Sequence, residues 1–265
     1  MSDPRPIGVF DSGIGGLTVL AALRALLPDE RLLYLGDTAR LPYGTKSAET
    51  VVRYARRAAA YLAHHDIKLL VVACNTASAA ALEPLTECTP VPVIGVVWPG
   101  ARSAVVGTAG TVGVIGTEST IASGAYVRAL HSLEPDLAVH ARACPLFVPL
   151  AEEGWFDHEV TRAVARIYLE PLARAGVDTL ILGCTHYPLL RGAIAGAIGS
   201  DVRLVDSAAA TAAEVDGVLR RGGLAGTGGG SVHLLVTYAA ARFARLASLI
   251  LGDAAVPLEL IDLPD

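Results

Sequence analysis

Lysine is nearly absent from this chain. Its 265 residues include Lys46 and Lys68 and no other. A pyridoxal phosphate enzyme carries its cofactor as a Schiff base on lysine. Neither lysine stands in a motif of that kind, so chemistry without a cofactor is preferred. Cysteine is scarce too: Cys74, Cys88, Cys144 and Cys184 lie far apart and form no CxxC. Structural zinc takes clustered ligands, and only Cys184 and His186 are near each other, so no metal is expected. The thiols of a cytosolic chain need not pair. Aromatic residues are 5% and charged residues 18%, against the ~25% charge of average soluble domains. Helices are therefore expected to pack through Ala, Gly and Leu. No basic block or aromatic-interleaved basic stripe occurs and the net charge is −5, which argues against nucleic acid as a partner. Arg53, Arg56 and Arg57 read as a solvated helix face. No apolar run approaches the ~20 residues of a membrane span. Met1-Ser2-Asp3-Pro4-Arg5-Pro6 runs straight to a strand without an apolar leader. No membrane association is expected, and the cytoplasm is the expected compartment. The 52% hydrophobic content suffices for one large or two modest cores.

Taken in order, the chain alternates strands with helices. Ile7–Phe10 is a short strand, and Asp11-Ser12-Gly13-Ile14-Gly15-Gly16 turns into a helix from Leu17 to about Leu27. Such a turn offers free N–H groups at a helix start, although it is neither GxGxxG nor a Walker loop. A strand over 31–35, a turn-rich loop over 36–44 and a helix from Ser47 to about His64 follow. Lys68–Ala73 has no polar alternation, as expected of a parallel strand covered on both faces. It ends in Cys74-Asn75-Thr76, and a helix begins at Ala77. The next strand is read from Val91 to Val97, with Pro99-Gly100 breaking it.

The pattern then restarts. Thr111–Thr117 resembles Pro6–Ser12 105 residues earlier, and the cysteine strands recur 110 residues apart. Two copies at so long a period indicate a duplicated domain rather than a solenoid. The expected architecture is α/β, with two pseudo-symmetric, flavodoxin-like parallel-sheet lobes and the site between them. The expected division is 1–97 plus 208–265 for the first lobe and 98–207 for the second. In the second lobe a helix is read from Thr120 to about Leu133, a strand over 137–143 and a helix over 157–175. The tail, with a glycine-dense loop over 222–230, a strand over 232–237 and a helix over 239–251, is expected to pack on the first lobe.

Ligands of parallel α/β sheets bind beyond the carboxyl ends of the strands. Asp11, Ser12, Cys74, Asn75, Thr76, Thr117, Cys184, Thr185 and His186 all fall there. A helix N-terminus lowers a thiol pKa, and Asp11 and His186 are proton acceptors within reach of the thiols. Two thiols facing one carbon suit a proton transfer that inverts the centre, one thiolate removing a proton and the other thiol returning one. Ser12, Asn75, Thr76, Thr185 and backbone N–H groups could hold a carboxylate. The plainer reading of a buried cysteine is a small core hydrophobe. It is adopted for Cys88 and Cys144 and stays open for Cys74 and Cys184. Asp11 could equally be a helix cap, and Glu152 and Glu153 an ordinary exposed pair.

Six stretches carry a resemblance: Ile7–Gly16, Asp37–Gly44, Val72–Ala77, Gly113–Thr117, Val148–Gly154 and Leu182–Pro188. In order and content they resemble the glutamate racemases of the aspartate/glutamate racemase family. The resemblance implies a cofactor-independent isomerase that converts glutamate and supplies D-glutamate for peptidoglycan, and so for cell wall biogenesis and cell shape. It implies Cys74 and Cys184 as the acid/base pair, assisted by Asp11 and His186 respectively, with one of Glu152 and Glu153, Glu153 being preferred, near the second thiol. It implies Asp11, Ser12, Tyr43, Gly44, Asn75, Thr76, Thr117, Thr120, Thr185 and His186 as substrate-binding residues, and a homodimer. A racemase of the same fold for aspartate or another amino acid stays open. The family's Thr-Ile-Lys-Ser reads Thr120-Ile121-Ala122-Ser123 here, and its Thr-Gly-Asp-Pro reads Thr237-Tyr238-Ala239-Ala240.

Overall fold

The computed structural model describes residues 3–252 and 256–263. Strand β1 (Ile7–Asp11) leads to α1 (Leu17–Leu26), β2 (Arg31–Gly36), α2 (Ala48–Ala63), β3 (Leu69–Val72), α3 (Asn75–Cys88) and β4 (Val93–Gly95). A second series begins with α4 (Val97–Val105) and β5 (Thr111–Gly116), then α5 (Glu118–Ala122), α6 (Ala125–Leu133) and β6 (Ala138–Ala143). It continues through α7 (Phe147–Glu152), α8 (Glu159–Arg174), β7 (Thr179–Gly183), α9 (Arg191–Ile198) and β8 (Arg203–Asp206). The chain closes with α10 (Ser207–Gly222), β9 (Ser231–Val236), α11 (Ala240–Leu251) and β10 (Leu258–Leu260).

The first sheet runs β10-β9-β2-β1-β3-β4 and the second β6-β5-β7-β8. Every pairing is parallel. Within the two sheets, β2-β1-β3-β4 and β6-β5-β7-β8 have the same order, so each cysteine follows the corresponding strand, β3 or β7. These strands are apolar throughout because both faces are covered. In the first lobe Val9, Leu69 and Val71 face α1 and α10, while Phe10, Leu70 and Val72 face α2 and α3. That is the period of two expected of strands. β9 and β10 extend the first sheet beside β2. Among the described residues no helix is long and apolar enough to cross a membrane.

Three local readings differ from the sequence expectations. The strand read through Val97 ends at Gly95, and Pro99-Gly100 sit inside α4 rather than breaking the chain. Pro99 is the third residue of that helix, where an N–H has no partner within the helix to lose. The helix read from Thr120 to Leu133 is two helices, parted at Gly124 with φ of 65°. Cys88 ends α3 exposed, so the core reading holds for buried Cys144 and not for Cys88.

Candidate active site

The first half of the site is built on β1 and β3. Cys74 caps α3, its sulfur accepting from the Ala77 N–H at 3.5 Å, and its thiol reaches the Ser12 hydroxyl at 3.5 Å. Burial pushes the Cys74 thiol up from 9.0 to about 12, and the nearby Asp11 carboxylate adds to the rise. The capping N–H and Ser12 pull the other way, but desolvation of a thiolate outweighs them. The lowering expected at this helix start is therefore overturned. Asp11 is fully buried at the end of β1. It accepts from the Gly13 N–H at 2.9 Å and from the Thr185 hydroxyl at 3.4 Å, the latter across the lobe boundary. Burial raises its carboxyl, and the charge of His186 acts against that rise.

The second half is the turn after β7. The Cys184 sulfur lies 3.7 Å from His186 Nδ1. His186 Nε2 lies 3.4 Å from a Glu152 carboxylate oxygen, within ion-pair distance, but it is not aligned for a hydrogen bond. Burial works against the charged imidazole, yet Cys184 and Glu152 outweigh it and lift His186 from 6.5 to about 10. A cation beside the sulfur stabilises negative charge developing on it.

Glu153, expected near this thiol, is not there. Its side chain is 62% exposed and accepts from Arg242 Nη2 at 3.0 Å. Helix phase is the reason. Val148 and Glu152, four residues apart on α7, both face the cavity, and the next residue lies about 100° further round. Glu152 takes the position given to Glu153.

Both thiols line one cavity of ≈ 20 Å³ between the lobes. Ser12, Tyr43, Gly44, Asn75, Thr76, Thr117, Thr185 and His186 line it as well, together with Gly13, Leu41, Pro42, Val148 and Glu152, which carried no assigned role. Asp11 and Thr120 stand behind this lining. Thr120 closes a triangle of hydroxyls with Thr76 at 3.1 Å and Thr117 at 2.9 Å, and Thr76 meets Thr117 at 3.0 Å. The triangle joins α3 of one lobe to α5 of the other. The Tyr43 hydroxyl is turned away, donating to Asp37 at 2.6 Å. Sequence reasoning also missed Tyr126, whose hydroxyl donates to the Asn75 side-chain oxygen at 2.6 Å and meets Ser207 at 3.1 Å. A lone tyrosine in a helix carries no signal of that role. Among the described residues no three His, Cys, Asp or Glu side chains are grouped to hold a metal.

The family described as Asp/Glu/Hydantoin racemase matches residues 17–215. A glutamate racemase of Geobacter metallireducens is 56% identical over 94% of this chain and 93% of its own. A crystal structure of a glutamate racemase from Bacillus anthracis superposes with TM-score 0.95 at 41% identity, covering 98% of each chain. The glutamate racemase of Francisella tularensis, solved in complex with D-glutamate, gives TM-score 0.93 at 37% identity, again over 98% of each.

Proposed function

The chain belongs to the Asp/Glu/Hydantoin racemase family, and on that premise we propose that it interconverts L- and D-glutamate by proton transfer between two thiols. The observation that carries the reading is Cys74 and Cys184 on one cavity, each delivered by the corresponding strand of its lobe. The substrate's α-carbon lies between the two sulfurs. One sulfur, as thiolate, takes the α-proton; the other, as thiol, returns a proton to the opposite face. The products are the mirror-image amino acid and the enzyme with its thiol and thiolate exchanged. With its thiol raised to about 12, Cys74 rests protonated at neutral pH and is the donor of that state. Asp11, whose charge acts on that sulfur, is the group that assists Cys74. His186, raised to about 10, is the cation that supports charge on Cys184. Ser12, Asn75, Thr76, Thr117, Thr185 and the backbone at Gly44 bind the substrate's polar ends. The reaction needs no cofactor.

Supply of D-glutamate to peptidoglycan, a cytoplasmic location and a homodimer belong to the same reading and rest on the family resemblance. Sedimentation at the monomer mass would remove the dimer.

The test is racemisation in heavy water. Glutamate of either hand should gain deuterium at the α-carbon as it inverts, without added pyridoxal phosphate. Cys74→Ser and Cys184→Ser should each lower kcat by about 10²–10⁴, the range for loss of an acid/base group, with an unchanged far-UV circular dichroism spectrum. Wild-type rates in either variant, or absence of exchange in the wild type, would reject the mechanism.

A further inference from the structure

The neighbour of Glu152 does work of a different kind. α11 belongs to the first lobe, where Phe243, Leu246 and Ala247 are buried in the core. α7 belongs to the second, where Phe147 and Ala151 are buried. Arg242 of α11 reaches across: its Nη2 donates to the Glu152 carbonyl at 3.1 Å and to the Glu153 carboxylate at 3.0 Å. α7 has only six residues. The last four carbonyls of a helix have no partner within it, and a cation there also suits the helix dipole. Arg242 thus holds the end of the one short helix that presents Glu152 to His186.

A second observation shows why that end needs holding. Glu152 also lines a cavity of ≈ 250 Å³, together with Ile14, Leu41, Arg242 and Phe243 among others. Glu152 is therefore not backed by close packing, and its side chain has space to turn away from the imidazole.

Resting on the racemase reading, we propose that Arg242 and Glu153 form a clasp between the lobes that positions Glu152 against His186. Arg242 is a positioning residue, and Glu153 is its anchor. The titratable groups facing His186 are Cys184 from its own turn, Glu152 from α7 and Asp11 from β1, with Arg242 behind Glu152. Of these, the clasp controls Glu152.

The experiment compares wild type with Arg242→Met, Arg242→Lys, Glu153→Gln and the Arg242→Met/Glu153→Gln double variant. It measures glutamate racemisation against pH and titrates the His186 imidazole by NMR. Arg242→Met should lower kcat about two- to fivefold, the scale of a partly exposed ion pair, with a smaller change in KM. The alkaline limb of the rate profile and the imidazole titration should both move to lower pH. Glu153→Gln should move them the same way, Arg242→Lys should recover part of the shift, and the double variant should fall no further than Arg242→Met. An unmoved His186 titration in both single variants, or additive effects in the double, overturns the clasp. A wild type that fails to racemise glutamate defeats the functional reading instead, and the NMR titration still decides the clasp.

Discussion

At the scale of single residues, the site sets two groups against their ordinary chemistry. Cys74 is a thiol held protonated by burial, and His186 is a buried imidazole held charged by its neighbours. The second has a consequence for stability. The unfolded imidazole titrates near 6.5 and the folded one near 10. Between those values the folded protein binds the extra proton, so stability falls as pH rises. The contribution is complete below pH ~6.5 and is lost as pH passes the folded value. Glu152→Gln should therefore cost about 1–3 kcal/mol near pH 6.5, since each tenfold loss in the imidazole's proton affinity is worth about 1.4 kcal/mol. The deficit should shrink as pH rises. Urea melts of both proteins from pH 6.5 to 9 measure it. Above that window Cys74, raised from 9.0 to about 12, adds a slope of the same sign. A deficit independent of pH would mean that Glu152 does not hold the charge.

At the scale of elements, the turn after β1 touches the turn after β7. A Cβ on Gly15 would meet the Thr185 hydroxyl and stand 2.7 Å from His186 Nδ1 and 2.9 Å from the Thr185 carbonyl carbon. Gly15→Ala should therefore displace the Cys184-Thr185-His186 turn and lower kcat at least tenfold, since a 1 Å misplacement can cost ~10². Gly192→Ala, on α9 with nothing within 4 Å of the added atom, is the control and should leave kcat unchanged. Equal rates in the two variants would show that the turns do not press on each other. Such contacts leave no mark in the sequence. The alternation of strand and helix, the duplication and both cysteine turns were legible, because buried parallel strands are continuously apolar and turn residues follow them. The phase of α7 was not. Phe147-Val148-Pro149-Leu150-Ala151 is apolar at every position, so no periodicity could tell Glu152 from Glu153. β10 escaped for a related reason: three edge residues with two of them exposed leave no apolar signature. The stacking of Pro99 into α4 depended on its place in the first turn, which only the backbone sets.

At the scale of the whole molecule, the chain returns from the second lobe to the first sheet, and that return is fastened. α10 carries it back from β8, and the glycine-dense loop after it leads to β9 beside β2. The fastening is Lys68, fully buried just before β3. Its Nζ donates to the carbonyls of Asp3 and Leu224 at 2.8 Å each and pairs with Glu30 at 2.5 Å. Glu30 accepts in turn from the Gly226 N–H at 2.6 Å. One cation thus ties the N-terminal segment, β3 and the returning loop at the end of the sheet away from the site. Lys68→Met would leave Glu30 buried without a counter-charge, a loss of about 3–5 kcal/mol, or roughly 6–20 °C in Tm for a chain of this size. Replacing both, as Lys68→Met with Glu30→Leu, removes the stranded charge and should recover most of that loss. The kcat of the folded fraction should not change in either variant, because the thiols sit at the opposite ends of the strands. A Tm in the double variant as low as in Lys68→Met would mean that the carbonyls of Asp3 and Leu224, rather than Glu30, make Lys68 indispensable, and that the fastening is a hydrogen-bonded knot rather than an ion pair.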